Sequence, residues 1–497
     1  MAQLEVSQSK ASRQTALVSE EYVVKAMPPT LGSLDMTTTY IMIIFFITNA
    51  TTAVAGGAAA FTYLIIGALT FFIPSVITTS QLGNMFPHEG SLYNWTHKAF
   101  GGYWSFFVAF CAWFPGVLVM ISAGDVLVTY VQALNPNWLT DIREQGAVII
   151  VVIVFSGIVG IQRYRTVQNI INIAGGLIAL GVVLIGFAGI VWLVKGNHPV
   201  ASLNHPSDWA VNFDPKIGNL YLFGSITLAY LGVESPLNMG GEISGRRVIN
   251  RHLLWGTMFV LIGYFVTTFS LLVIEGPTNG SATYYAIVRA VDAALGKGAG
   301  SITAICIMSF FVITTITYNL AYARLLLVSG IDQRLPRNIG LLNKNRVPAN
   351  AIIFQTTVAA VIAGLIFFVA PNFSFLGTPA NLSLEVYDIM LAASTLVWAL
   401  SSAFLFLNLA RFYFQDPVAI RKQLIFPIPV IWISIVVGTI ACALAIVGTL
   451  FYSWTALIPN TSWWYIIGGL TLVCLIIAAI GSMVASSEAA WQGVSGE

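Results

Sequence analysis

Charge is what this chain has least of. Asp, Glu, Lys and Arg make up 8% of its 497 residues, against 57% that are hydrophobic. A mean hydropathy of +0.83 rules out an ordinary soluble domain of this length. The formal net charge is only +2, too small a basic excess to imply a nucleic-acid partner. Cysteine is equally sparse. Cys111, Cys306, Cys442 and Cys474 each sit in an apolar run and form no CxxC pair, which argues against a disulfide framework or a thiolate metal site. The histidines are scattered in or near loops without ligand spacing, so no metal is expected. Walker A, HExxH, GxSxG and TVGYG patterns are missing, which removes the usual support for an ATP-driven pump, a membrane hydrolase and a potassium channel. With no catalytic constellation, neither an enzyme nor a cofactor is expected.

What the chain has instead is runs of about 20 apolar residues, the length that spans a bilayer as helix. They fall near 36–55, 58–82, 103–133, 146–162, 168–194, 217–241, 253–275, 300–328, 349–370, 385–413, 427–452 and 463–485. The expected fold is therefore an all-α membrane protein of twelve transmembrane helices. Residues 1–35 read as a flexible cytoplasmic tail, 36–485 as the membrane domain and 486–497 as a second cytoplasmic tail. With the N-terminus inside, only Arg143, Lys195, Lys216, Arg289 and Lys297 of the 22 Lys and Arg fall on the outer side. This partition follows the positive-inside rule and puts both termini in the cytoplasm.

One stretch departs from an ordinary membrane helix. Leu228 to Arg251 reads LAYLGVESPLNMGGEISGRRVINR, with Glu234 well inside an apolar run. Insertion of the comparable Asp at the bilayer centre costs about 2.5 to 3.5 kcal/mol, so a lone carboxylate there marks a functional site by default. Gly232 and Pro236 on either side ease unwinding, and transporters build substrate sites from such unwound backbone. A kinked helix whose Glu is satisfied by a neighbouring backbone or hydroxyl group is the alternative.

Three segments carry a family resemblance. PHEGSLYNWTHKAFG, Pro87 to Gly101, resembles the P-x-x-G-G-x-Y-x-W-x-x-x-A-F-G signature after the second span of amino acid/polyamine/organocation (APC) superfamily permeases. YLGVESPLNMGGEISGRR, Tyr230 to Arg247, resembles that superfamily's sixth span and following loop, with Ser244 and Gly245 where the family has Asn-Pro. Ala323 to Ile352 is similar to the family's R-x-x-x-x-x-x-x-D-G-x-x-P with a later P-x-x-A. The first span, MIIFFITNATTAVAGG from Met42 to Gly57, lacks the family's usual G-S-G. In that it looks more like the glutamate/GABA antiporters.

The resemblance implies a LeuT-like five-plus-five inverted repeat, about 36–194 and 217–413, with two extra helices at about 427–485. It also implies a secondary transporter in the cell membrane, surrounded by lipid, that takes an amino acid or small amino acid derivative; a polyamine transporter and a transport-inactive relative are the alternatives. A proton and an exchanged amino acid both stay open as the coupling partner. The family's gating role falls on Glu234, with Tyr230, Gly232 and Ser235 on the same broken segment. Tyr318 and Trp398 fall where related exchangers keep aromatics over the substrate, and Thr48 and Asn49 are the polar cluster of the first span. Leu228 stands where arginine-exchanging members carry a stacking Trp, and losing that ring disfavours a cationic substrate. Gly175 falls where some cationic amino acid members keep a titratable Lys, while Thr314, Thr315 and Thr317 offer oxygens for sodium that helical hydroxyls commonly spend on the preceding turn.

The topology has a direct check. A Cys at Asn343 is expected to react with an impermeant thiol reagent only from the cytoplasmic side and a Cys at Asn279 only from outside. Labelling of both from one side overturns the twelve-span reading.

Overall fold

The apolar runs become helices, and the two runs that do not become single helices matter most. The computed structural model describes residues 17–212, 219, 221–277, 284–372, 379–454 and 458–494, without the side chains of 221, 228, 379–387, 488 and 490–494. Asn279, the outer labelling position, and the side chain of Leu228 lie outside the described residues. Among those described, 10 helices are long and apolar enough to cross a membrane, or 11 if Ser33–Ile44 and Asn49–Gly56, bent by 43° at their junction, count as one span. The sixth expected run divides into a helix, Tyr221–Ala229, and a 3-10 run, Ser235–Glu242, neither long enough to span alone. A count of twelve thus depends on taking each broken segment as one crossing.

Burial sorts the spans into centre and periphery. In the third span, Gly102–Leu134, 83% of the most apolar window is buried, and in Asp388–Gln415 the share is 78%; in the last span, Asn460–Ser487, it is 22%. The first two therefore pack on the interior and the last presents its side chains outward, as a helix bathed in lipid does. Within the stretch 1–35, expected to be a flexible tail, Val18–Ala26 is a helix. It is fastened to the bundle by Ser19, whose N–H and hydroxyl both donate to Asp332 at 2.9 Å, and by Glu20, which pairs with Lys98 at 2.8 Å. Leu31 then adds one parallel bridge to Ile243, just past the broken sixth span.

Breaking the first span strands the carbonyls of its last helical turn, and backbone left unpaired at membrane depth is costly. Three hydroxyls from other spans meet them in succession. Thr314 Oγ1 donates to Met42 O at 3.2 Å, Tyr318 Oη to Ile43 O at 2.7 Å and Tyr264 Oη to Ile44 O at 3.1 Å. Tyr264 Oη also accepts from the N–H of Phe46 at 3.0 Å, across the break. Seventh and eighth spans thus hold the first span open at a fixed place. Tyr264→Phe removes both bridging bonds and leaves only the direct Phe46 N–H to Ile44 O bond at 3.0 Å across the break, at the usual net cost of about 0.5 to 1.5 kcal/mol for each hydrogen bond lost. The purified variant is expected to melt several degrees below wild type; an unchanged melting midpoint contradicts this account.

Candidate functional site

At the sixth-span break the chain leaves the helix at Tyr230 and turns at Gly232, whose φ of +92° suits glycine alone. A Cβ there would lie 3.2 Å from the Trp398 ring and 3.5 Å from Ile43 Cγ2. Glycine therefore lets the broken sixth span lie against both the tenth span and the end of the first helix.

An aromatic wall faces this turn. Tyr318 and Tyr322, one helical turn apart on the eighth span, stack with centroids 5.2 Å apart. Each meets the edge of Trp398, at 6.3 and 5.8 Å. Tyr322 Oη donates to Ser235 Oγ at 2.8 Å, joining the wall to the start of the 3-10 run. Tyr318, Trp398, Asn49, Phe46 and Leu231 line a cavity of about 10 Å³ completed by Ile43, Ile44, Val119 and Leu391, room for about one water. A solute the size of an amino acid fits only when these rings turn or the helices part.

Two buried polar atoms around this wall are unsatisfied. Glu234 is 2% exposed, and its Oε1 accepts no hydrogen bond. No ion pair to it occurs among the described residues. Trp398 Nε1, also buried, donates to nothing. A buried donor and a buried acceptor left unpaired are what a bound polar solute satisfies.

Of the residues singled out in the sequence, Gly232, Tyr318, Trp398 and Asn49 come together, and Ser235 joins them through Tyr322. Asn49, first residue of the half-helix beyond the break, also reaches Tyr264 Oη at 3.4 Å. Tyr230 does not face the cavity. It stacks on Phe72 at 4.6 Å and donates to Leu64 O, fastening the sixth span to the second. Thr48 is buried at the first break, where its carbonyl accepts from Thr51 Oγ1 at 2.6 Å, and is not part of the cavity wall. Thr315 and Thr317 spend their hydroxyls on Phe311 O and Ile313 O within their own helix. A Cβ on Gly175 would come within 2.7 Å of Thr38 Cγ2, so the fifth span packs against the first where a Lys side chain would otherwise project. Tyr322 was legible from its i+4 spacing to Tyr318. Val119 and Leu391 carried no signal.

The sequence of residues 31–479 matches the family model described as amino acid permease. The chain is a member of the amino acid permease family. It is 22% identical over 343 residues to the gamma-aminobutyric acid permease of Bacillus subtilis, covering 67% of this chain and 70% of that one. Over 415 residues it is 22% identical to the branched-chain amino acid permease of Lactococcus lactis, covering 80% and 82%. A probable agmatine/putrescine antiporter of Lactococcus lactis is 24% identical over 286 residues, 56% of this chain and 59% of the relative. This permease is therefore a multi-pass membrane transporter of small molecules and not an enzyme.

Gly232 tests the geometry of the break. Gly232→Ala forces a Cβ into a left-handed turn, a strain of about 1 to 3 kcal/mol, and presses on Trp398. The permease is expected to show a lower melting midpoint and a shifted tryptophan emission; a variant indistinguishable from wild type in both means that Gly232 does not abut Trp398.

Proposed function

We propose that this permease moves a neutral or acidic amino acid, or a small derivative such as GABA, by alternating access around the paired breaks in its first and sixth spans. The observation that carries this reading is the meeting of both breaks, five spans apart in chain order, at one cavity walled by Tyr318 and Trp398. Breaks at corresponding positions of two halves are the usual mark of a substrate site at the repeat interface, so a five-plus-five repeat with two extra helices is part of the same reading. The half-helix starting at Asn49 offers partial positive charge to a substrate carboxylate, while the N–H groups of Asn49, Ala50 and Thr51 donate to Phe46, Ile47 and Thr48 O. Glu234 is the gating or proton-exchanging group. The cavity wall holds no charged side chain, which suits a neutral or zwitterionic solute better than a polyamine, whose several ammonium groups need several anions in place of water. The GABA and branched-chain permeases among its relatives take solutes of the favoured kind. We place the protein in the cell membrane with both termini in the cytoplasm.

Proteoliposomes carry the test. Uptake of a radiolabelled panel of neutral, acidic and basic amino acids, GABA and putrescine, with and without internal substrate, is expected to favour the neutral or acidic members; preferential uptake of putrescine overturns the substrate class. In the same vesicles Glu234→Gln is expected to bind substrate while turning over about tenfold or more slowly, a barrier increase of about 1.4 kcal/mol, with a flattened response to pH. Wild-type turnover and an unchanged pH profile remove Glu234 from the mechanism.

A further inference from the structure

A second carboxylate cluster lies six residues beyond Tyr318, on the basic face of the bundle. Arg324 of the eighth span is fully buried. Its Nε and Nη2 both donate to Glu242 Oε1, at 3.1 and 2.9 Å, and Nη1 donates to Leu320 O at 3.0 Å. Tyr164 of the fifth span covers the guanidinium at 5.2 Å. Its own hydroxyl is turned to Gln168 and Met239. Glu89, in the loop after the second span, comes within 3.6 Å of Arg324 Nε. Its Oε2 accepts the Gly241 N–H at 3.0 Å, but Oε1 accepts no hydrogen bond. With Glu89 at 3% and Glu242 at 4% exposure, two dry carboxylates share one cation that is already fully engaged.

Among the described residues no other group nearby balances the extra charge. On the first span Asp35 has its own cation, Arg165 of the fifth, at 2.8 Å. Glu20 of the N-terminal helix takes Lys98 at 2.8 Å and lies 3.7 Å from His88. Burial, more than the neighbouring charges, holds the His88 imidazole below its ordinary pKa, so at neutral pH it adds no cation beside Glu89. Arg334 is turned to Gly102 O at 2.9 Å. An uncompensated negative charge in such a place is relieved by taking up a proton.

We propose that Glu89 and Glu242 form a proton-binding site, separate from Glu234, whose occupancy seals the cytoplasmic side of the permease and whose proton is released to cytoplasmic water when that side opens. The proposal rests on the transporter reading and its inside-N orientation. The bound proton sits on Glu89 Oε1, the atom without a partner, and bonds toward Glu242. Burial first, and then the charge of Glu242, push the Glu89 carboxyl well above the usual carboxylate range. In an opened, wetted state the ordinary value returns, near 4.3. Closure is thus favoured at low pH and lost as pH rises through the raised value, and with one proton per opening the open-to-closed ratio changes about tenfold per pH unit. Because the site ties the end of the broken sixth span to the fifth and eighth spans, the sixth span cannot swing inward with the cluster intact.

Spin labels on Arg247→Cys, exposed in the first turn of the seventh-span helix Arg246–Ile274, and Lys344→Cys, exposed on the loop after the eighth span, report this opening, since the four native cysteines are buried. In nanodiscs a short distance at low pH is expected to give way to a longer one as pH rises from about 5 to about 9, with the population changing about tenfold per unit. Glu89→Gln should hold the short distance throughout, and Glu89→Asp should keep the transition at a shifted midpoint. A wild type without pH dependence, or a Glu89→Gln variant that titrates like wild type, overturns the proposal. If Glu89→Gln does not fold, the carboxylic-acid infrared band decides, recorded in the Glu234→Gln background. It should fade as the long distance grows, and a constant band refutes the site. Uptake failing for every solute while the distances still titrate would reject the transport reading and leave the proton site standing.

Discussion

Everything at the centre of this permease depends on satisfying backbone groups where no water is at hand. A helix broken inside a membrane survives only if other spans supply the missing partners. Here Thr314, Tyr318 and Tyr264 take the carbonyls of Met42, Ile43 and Ile44 in order. The same bonds that stabilise the break also decide where it lies, and they bind the first span to the seventh and eighth. Tyr318 does double service, since its ring forms the cavity wall while its hydroxyl caps Ile43. Any movement of that ring is therefore coupled to the backbone of the first span.

Two kinds of buried charged group stand out among the described residues. Around Asp35 and Arg165, or Glu20 and Lys98, charges are matched and near the rim, where such pairs are modest contributors. Glu234 and the Glu89–Glu242–Arg324 cluster are unmatched and dry, and a mismatch of that sort is retained at a cost in stability. Both lie at or next to the broken sixth span.

Much of this was legible in the sequence because hydropathy is a local property. The apolar runs gave helices close to their expected bounds, and Gly232, Glu234 and Pro236 marked the sixth-span break directly. The first break was not readable in the same way. Its polar residues, Thr48 and Asn49, begin only where the unwound stretch ends, and the helix stops at Ile44 because of hydroxyls more than 200 residues away in sequence. Tyr230 lies off the cavity wall, against the second span, for a related reason: once a helix unwinds, the periodicity that assigns side chains to faces no longer holds. The helix Val18–Ala26 was missed because its short polar sequence has little intrinsic stability; its order comes from Asp332 and Lys98, which lie in other segments.

Arg324 also bears on how the chain is made. It lies seven residues from the end of its helix at Ile331, about 10 Å along the axis at 1.5 Å per residue, deep enough that an unaccompanied guanidinium would resist leaving water. Glu89 and Glu242 both precede it in the chain and so leave the ribosome first. By the time the eighth span is handed to the bilayer, an acidic socket can already be in place for its cation. The reverse order would present a bare guanidinium to the lipid with no carboxylate yet made to receive it. Synthesis from N- to C-terminus thus matches the order in which this buried charge cluster is least expensive to assemble.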